Sequence, residues 1–323
     1  MSFEETEEQL NAFPDYVQQG WESASAVAVL DKVRHIVCCG MGGSAIPGSL
    51  LSAYLETDTS MFVVRDYTLP SFVTNKDLVF VVSYSGNTEE TISCFRSAMG
   101  KGCKIIGISS NGKLKQLCEK SKLDFIELPK GIQPRAALPL LFFPMLRVLS
   151  NSKLIEDQKV FVEATITALR KPIYREMAKA LSEKLAGKIP LIYASQQFSA
   201  VAYRWKTQIN ENAKSMAFYH ILPEMNHNEL VGFENLIGDY YVVILQDEEE
   251  HPRIRKRMKL TKQLIARRGV SSTIIAVKGA CKLSRIFSAI YTGDWTSVEL
   301  AALYNIDPTP VHIIEQLKEM LKK

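Results

Sequence analysis

Short apolar, β-branched runs alternate with helical patterns along this chain, and that alternation constrains its fold more than any other feature. The first series runs HIVCCG (35–40), a helical stretch from Ser44, MFVVRD (61–66), DLVFVVS (77–83), a helix from Thr88, KIIGIS (104–109) and DFIEL (124–128). Strands alternating with helices form a parallel sheet with helices on both faces. These runs are apolar on both sides, as burial between two helical layers requires. From about Lys188 the pattern starts again, with PLIYAS (190–195), a helix to about Asn212, YYVVIL (240–245), a basic helix (252–268) and STIIAV (272–277). The matched order predicts an α/β fold of two αβα units related by internal duplication, over residues 1–153 and 154–323. Between them Glu156 to Lys184 reads as helical, with a break near Pro172.

Composition narrows the function classes. Lysine plus arginine is 39 against 35 acids, a formal charge of +4, too weak a field to argue for nucleic acid or membrane partners. The basic run His251 to Arg268 carries eight lysines and arginines, but it lacks interleaved aromatics and reads as a solvated helix face. None of the six cysteines forms a C-x-x-C pair or sits near a histidine at zinc-ligand spacing, so they read as core thiols of a reducing compartment. Met1 to Leu10 carries four glutamates and no apolar run, which is not a secretory signal, and the apolar stretch Ala136 to Leu146 is too short to cross a bilayer. A cytoplasmic protein working on small molecules, with no metal and no cofactor, is the expectation.

Two turns in the first series carry the strongest chemical signal. Gly40-Met41-Gly42-Gly43-Ser44 follows the first strand, and Tyr84-Ser85-Gly86-Asn87-Thr88 follows Ser83. Both lie where a parallel strand ends and a helix opens, the edge at which this architecture binds ligands. Glycines such as Gly42 and Gly43 let backbone N–H groups approach an anion, the helix N-terminus adds positive potential, and Ser44, Ser83, Ser85 and Thr88 offer hydroxyls. A phosphate monoester fits such a cup. The absence of a G-x-x-x-x-G-K-[ST] loop argues against a magnesium nucleotide. The matching second-series turns are Ser195-Gln196-Gln197 and Gln246-Asp247-Glu248-Glu249-Glu250, so one copy keeps an anion site and the other replaces it with acids. Gly40-x-Gly42-x-x-Ala45 with Asp66 also satisfies the dinucleotide fingerprint, which keeps an NAD-dependent dehydrogenase as an alternative. The hydroxyl-rich second cup weighs against it.

Six ordered motifs resemble the sugar isomerase (SIS) domain family, and within it the branch of bifunctional phosphoglucose/phosphomannose isomerases. They are GMGGSAIPG (40–48), SYSGNTEET (83–91), QPRAALP (133–139), RWKTQINENAK (204–214), NHNELVGF (226–233) and DPTPV (307–311). The resemblance implies reversible conversion of glucose 6-phosphate and mannose 6-phosphate to fructose 6-phosphate by a homodimer. That chemistry needs a base to move a proton between C1 and C2, a cation for the enediolate and a proton shuttle to open the ring. The resemblance implies Glu211 as the base, near a helix C-terminus whose dipole disfavours the charged carboxylate, with Arg204 and Gln208 spaced to share its face. It implies His227 for ring opening, reaching the site of the partner subunit. Arg135, past the fifth strand, is implied as the enediolate cation, and Lys318 as a second cation with Lys322 and Lys323 close beside it. A SIS protein that senses phosphosugars without catalysis is the other alternative; such sensors carry a DNA-binding domain, for which the residues before His35 are too few.

Overall fold

A computed structural model of the chain describes residues 3–30, 32–55 and 59–321, so Lys322 and Lys323 lie outside the described residues. Helix α1 (Phe3–Asn11) precedes the first unit, which covers 12–170 and 281–284 and opens on α2 (Phe13–Ser23). Its strands are β1 (His35–Cys39), β2 (Ser60–Val64), β3 (Leu78–Val82), β4 (Lys104–Ser109) and β5 (Asp124–Glu127). All are parallel, in the order β2-β1-β3-β4-β5. Helices α3 (Ile46–Tyr54), α4 (Glu89–Gly100) and α5 (Gly112–Ser121) connect them, and α6 (Leu138–Asn151) and α7 (Lys159–Leu169) follow.

Alternation of side chains across the pleat explains the layers. Val37, Val79, Val81 and Ile105 share one buried cluster with Ile92 and Phe95 of α4 and Leu114 of α5. Each large side chain so buried contributes roughly 1.5–3 kcal/mol. Helix α6 is apolar nearly all round and buried along most of its length, as an internal helix is; the run at 136–146 is core. Among the described residues no helix is long and apolar enough to cross a membrane.

The sequence expectation places the domain boundary at 153/154. The first unit runs on to Arg170 because α7 packs against α2, and α1 groups with the second unit. The helical stretch expected from Glu156 to Lys184 is α7 and α8 (Ile173–Leu185), parted at Arg170, Lys171 and Pro172.

The second unit covers 1–11, 171–280 and 285–323. Its strands β6 (Ile189–Ser195), β7 (Phe218–Leu222), β8 (Tyr240–Asp247) and β9 (Ser271–Val277) are parallel in the order β7-β6-β8-β9. This repeats the β2-β1-β3-β4 part of the first sheet. Its other helices are α9 (Ser199–Asn212), α10 (Pro252–Ala266), α11 (Lys282–Leu303) and α12 (His312–Leu321). The basic run is α10, which buries Met258, Thr261 and Ile265 and leaves most of its charges toward solvent.

Candidate functional site

In the first unit the chain order reverses between β1 and β3, and both glycine turns open at that point. Their close packing is dictated by what Cβ atoms would meet. At Gly40 a Cβ would lie 2.6 Å from Ser44 O, and at Gly86, with φ of 69°, it would lie 1.8 Å from Asn111 O. No other residue fits either place.

The hydroxyls divide into two pairs. Ser44 and Ser83 are buried and hold the turns together. The Tyr84 amide donates to Ser44 Oγ at 3.2 Å and the Gly86 amide to Ser83 Oγ at 3.1 Å. Ser83 Oγ is 2.9 Å from Thr88 Oγ1. Ser85 is exposed and Thr88 half-buried at the start of α4, so these two are the accessible hydroxyls of the turns. The Asn87 amide donates to Ser85 Oγ at 3.3 Å, and Asn87 Oδ1 accepts from the Lys113 amide at 2.9 Å, which fixes the outer turn.

Arg135 is brought to this cup. Gly43 lies against its segment so closely that a Cβ there would be 3.4 Å from Pro134 O and 3.8 Å from Arg135 Cα. Tyr84 places that segment: its hydroxyl donates to Pro129 O at 2.8 Å and accepts from the Ile132 amide at 3.0 Å. Burial pushes the Tyr84 phenol above its ordinary range, against the opposing Ile132 amide, so it remains a donor. Sequence reasoning misses this residue, because only the fold shows that its hydroxyl reaches the 129–132 loop.

In the second unit the motif around Glu211 proves largely structural. Arg204 and Asp294 form a bidentate pair, Nε to Oδ1 at 3.0 Å and Nη2 to Oδ2 at 2.6 Å, each side chain only 1% exposed. Burial pushes the Asp294 carboxyl above the usual carboxylate range, opposed by Arg204 and by a hydrogen bond from Gln208. Trp205 lies flat on α11, where a Cβ on Gly293 would be 2.3 Å from its Nε1, and that Nε1 donates to Ala289 O at 2.9 Å. Asn212 Nδ2 donates to Ser297 Oγ at 2.9 Å. Arg204 and Gln208, expected on the face of Glu211, are thus engaged with α11.

Glu211 itself is half-buried in the last turn of α9. Lys214, with φ of 53°, folds back so that its Nζ donates to Glu211 O at 2.5 Å and to Pro308 O at 2.9 Å. The Asp307-Pro-Thr-Pro segment is thereby tied to the glutamate's helix end. Lys318 follows in the last turn of α12, exposed along with every described residue of that helix.

His227 is exposed at the end of a short helical turn, Glu224–His227, just past β7. Its asparagine neighbours are engaged elsewhere: Asn226 Nδ2 donates to Thr261 Oγ1 at 2.9 Å, and Asn228 Nδ2 to Glu224 Oε1 at 2.8 Å. Because α9 runs back from the end of β6, Glu211 lies beside the edge where β7 begins, whereas His227 follows its other end. The five residues of β7 span about 16 Å. Glu211 and His227 therefore lie toward opposite ends of β7. Among the described residues no group of three or more His, Cys, Asp or Glu side chains is arranged to hold a metal ion.

Comparison with known proteins agrees with this architecture. The model of the bacterial phospho-glucose isomerase C-terminal SIS domain matches residues 175–321, and that of the SIS domain matches 29–132. The chain is 42% identical to the bifunctional phosphoglucose/phosphomannose isomerase of Caldicellulosiruptor bescii over 95% of its own length and 96% of the relative's. It is 40% identical to the protein of that description from Aquifex aeolicus, over 95% and 96%. A solved structure of a hypothetical protein from Thermus thermophilus shares the fold, with a TM-score of 0.79 at 14% identity over 97% of this chain and 89% of that one. The chain belongs to the SIS-domain family of bifunctional phosphoglucose/phosphomannose isomerases.

Proposed function

We propose that this enzyme interconverts glucose 6-phosphate or mannose 6-phosphate with fructose 6-phosphate, without metal or cofactor. The observation that carries the reading is the meeting of two hydroxyl-bearing glycine turns with a buried arginine at the crevice of the first sheet. The 6-phosphate sits on the amides of Gly42 and Gly43 and on the hydroxyls of Ser44, Ser83, Ser85 and Thr88. The first unit supplies this cup and Arg135, and the second supplies Glu211, His227 and Lys318.

His227 opens the pyranose by moving a proton from the anomeric hydroxyl to the ring oxygen. Glu211 then takes the proton from C2 of the open-chain aldose, the electron pair forms the C1–C2 double bond, and the aldehyde oxygen gains negative charge. Arg135, with Lys318 near, holds that charge. Return of the proton to C1, with transfer of the O2 proton to O1, completes the ketose. The separation of Glu211 and His227 supports delivery of His227 from the partner subunit of a symmetric dimer. Cysteines that are free thiols support a cytoplasmic setting, in glycolysis or gluconeogenesis.

The test is a coupled assay for fructose 6-phosphate in EDTA, starting separately from each aldose. Turnover of both is expected. Silence on both in a folded protein would leave the sensor reading. In the same assay Ser85→Ala with Thr88→Ala should raise KM about tenfold or more with kcat little changed, because phosphate contacts are mostly uniform binding. A fall confined to kcat would place those hydroxyls elsewhere.

A further inference from the structure

Duplication gives the second unit a crevice of its own. Its sheet reverses chain order between β6 and β8, the counterpart of the point between β1 and β3 where the cup lies. Open parallel sheets bind ligands at such points. The proposed isomerase mechanism leaves this one unused.

Ser195 closes β6 two residues past Tyr193, and Gln246 stands two residues past Ile244, the pair at which the β6–β8 register ends. By the alternation of the pleat both share the face of Leu191, Tyr193, Val242 and Ile244, which packs on Met258 and Ile265 of α10. The turn after β8 folds back, its Glu250 amide donating to Asp247 O at 3.2 Å, and places Glu250 next to His251, the cap of α10. Three side-chain oxygens at this edge are enclosed with no hydrogen-bond partner among the described residues: Ser195 Oγ, Gln246 Oε1 and Glu250 Oε2. Ser195 is 3% exposed and Glu250 5%. Ser195 stands where a serine ordinarily caps the next turn, yet makes no cap. Glu250 Oε1 accepts from the His251 amide at 3.0 Å, leaving Oε2.

Enclosed acceptors without partners are rare and costly, and these three belong to the ends of two neighbouring strands and to the turn that follows the second, where one shared partner would satisfy all of them. The neighbouring acid Asp247 is already matched, 2.7 Å from Arg285 Nε with both side chains 3% exposed, and Arg285 also pairs with Glu249. One carboxylate and two neutral oxygens remain. All-oxygen donors suit a hard cation, and one carboxylate balances a single charge, whereas divalent ions draw on more carboxylates or on phosphates.

We propose that this edge binds a small monovalent cation, of potassium or ammonium size, through Ser195 Oγ, Gln246 Oε1 and Glu250 Oε2. Thermal unfolding in potassium, ammonium, sodium and choline chlorides at equal ionic strength tests it. Potassium or ammonium should give a saturable rise of roughly 3–5 °C over choline at about ten times the dissociation constant. Glu250→Gln, which keeps the shape and removes the charge, should lose the rise. Equal midpoints in all four salts, or a rise retained in Glu250→Gln, overturns the proposal. Should that variant fail to fold, crystals of the unaltered protein grown with rubidium chloride decide: an anomalous peak among the three oxygens supports the site, and its absence overturns it.

Discussion

Glu211→Gln should lower turnover of both aldoses about a thousandfold while sugar-phosphate affinity stays within a few fold. Removing a positioned base costs about 10²–10⁴ in rate, and glutamine preserves the half-buried shape of the last turn of α9. The Lys214 bonds to Glu211 O and Pro308 O are to the main chain, so the substitution leaves that link in place. The coupled assay gives the rate, and calorimetric titration with fructose 6-phosphate gives the affinity. A rate within tenfold of the parent enzyme would remove Glu211 from the mechanism. Loss of both rate and binding would assign it to substrate holding.

The second large effect is on stability. Asp294→Asn should cost about 3–5 kcal/mol, because it leaves the Arg204 guanidinium buried without its counter-charge. Both side chains are only 1% exposed, so solvent cannot screen the loss. The unfolding midpoint should fall by roughly 10 °C. Trp205 and Trp295 are both fully buried within this unit, which makes tryptophan fluorescence a direct reporter. The double variant Arg204→Met with Asp294→Leu should recover part of the deficit, since apolar pairs of similar volume replace buried ion pairs at little cost. A cost below about 1 kcal/mol for Asp294→Asn would show that water reaches the pair.

Much of this arrangement is local in origin and so legible in the chain. The strands read clearly because HIVCC and LVFVV are apolar on both faces, and the cup reads clearly because its glycines and hydroxyls lie within two short turns. Strand β7 is harder to see. Phe218 and Tyr219 are exposed and His220 sits at its centre, as an edge strand tolerates, so the sequence shows only a β-like segment before Pro223. The motif around Glu211 misleads for a different reason. Helical spacing places Arg204 and Gln208 with the glutamate, but their partner Asp294 is ninety residues further on, and no local pattern announces it. Tyr84 and Lys214 escape notice likewise, each acting through a carbonyl of a distant loop.

Helix α1 belongs with the second unit: Leu10 O accepts from the Tyr291 hydroxyl at 3.1 Å, and Glu7 pairs with Arg175. The ribosome therefore releases one piece of that unit first and its remainder only after residues 12–170 of the first unit have been made. The first sheet can form during synthesis, as domains generally do, while α1 waits for the last stretch of chain. Cutting the gene between the units would separate α1 from its partners, and a fragment beginning at Lys171 needs those opening residues supplied, in trans or by circular permutation.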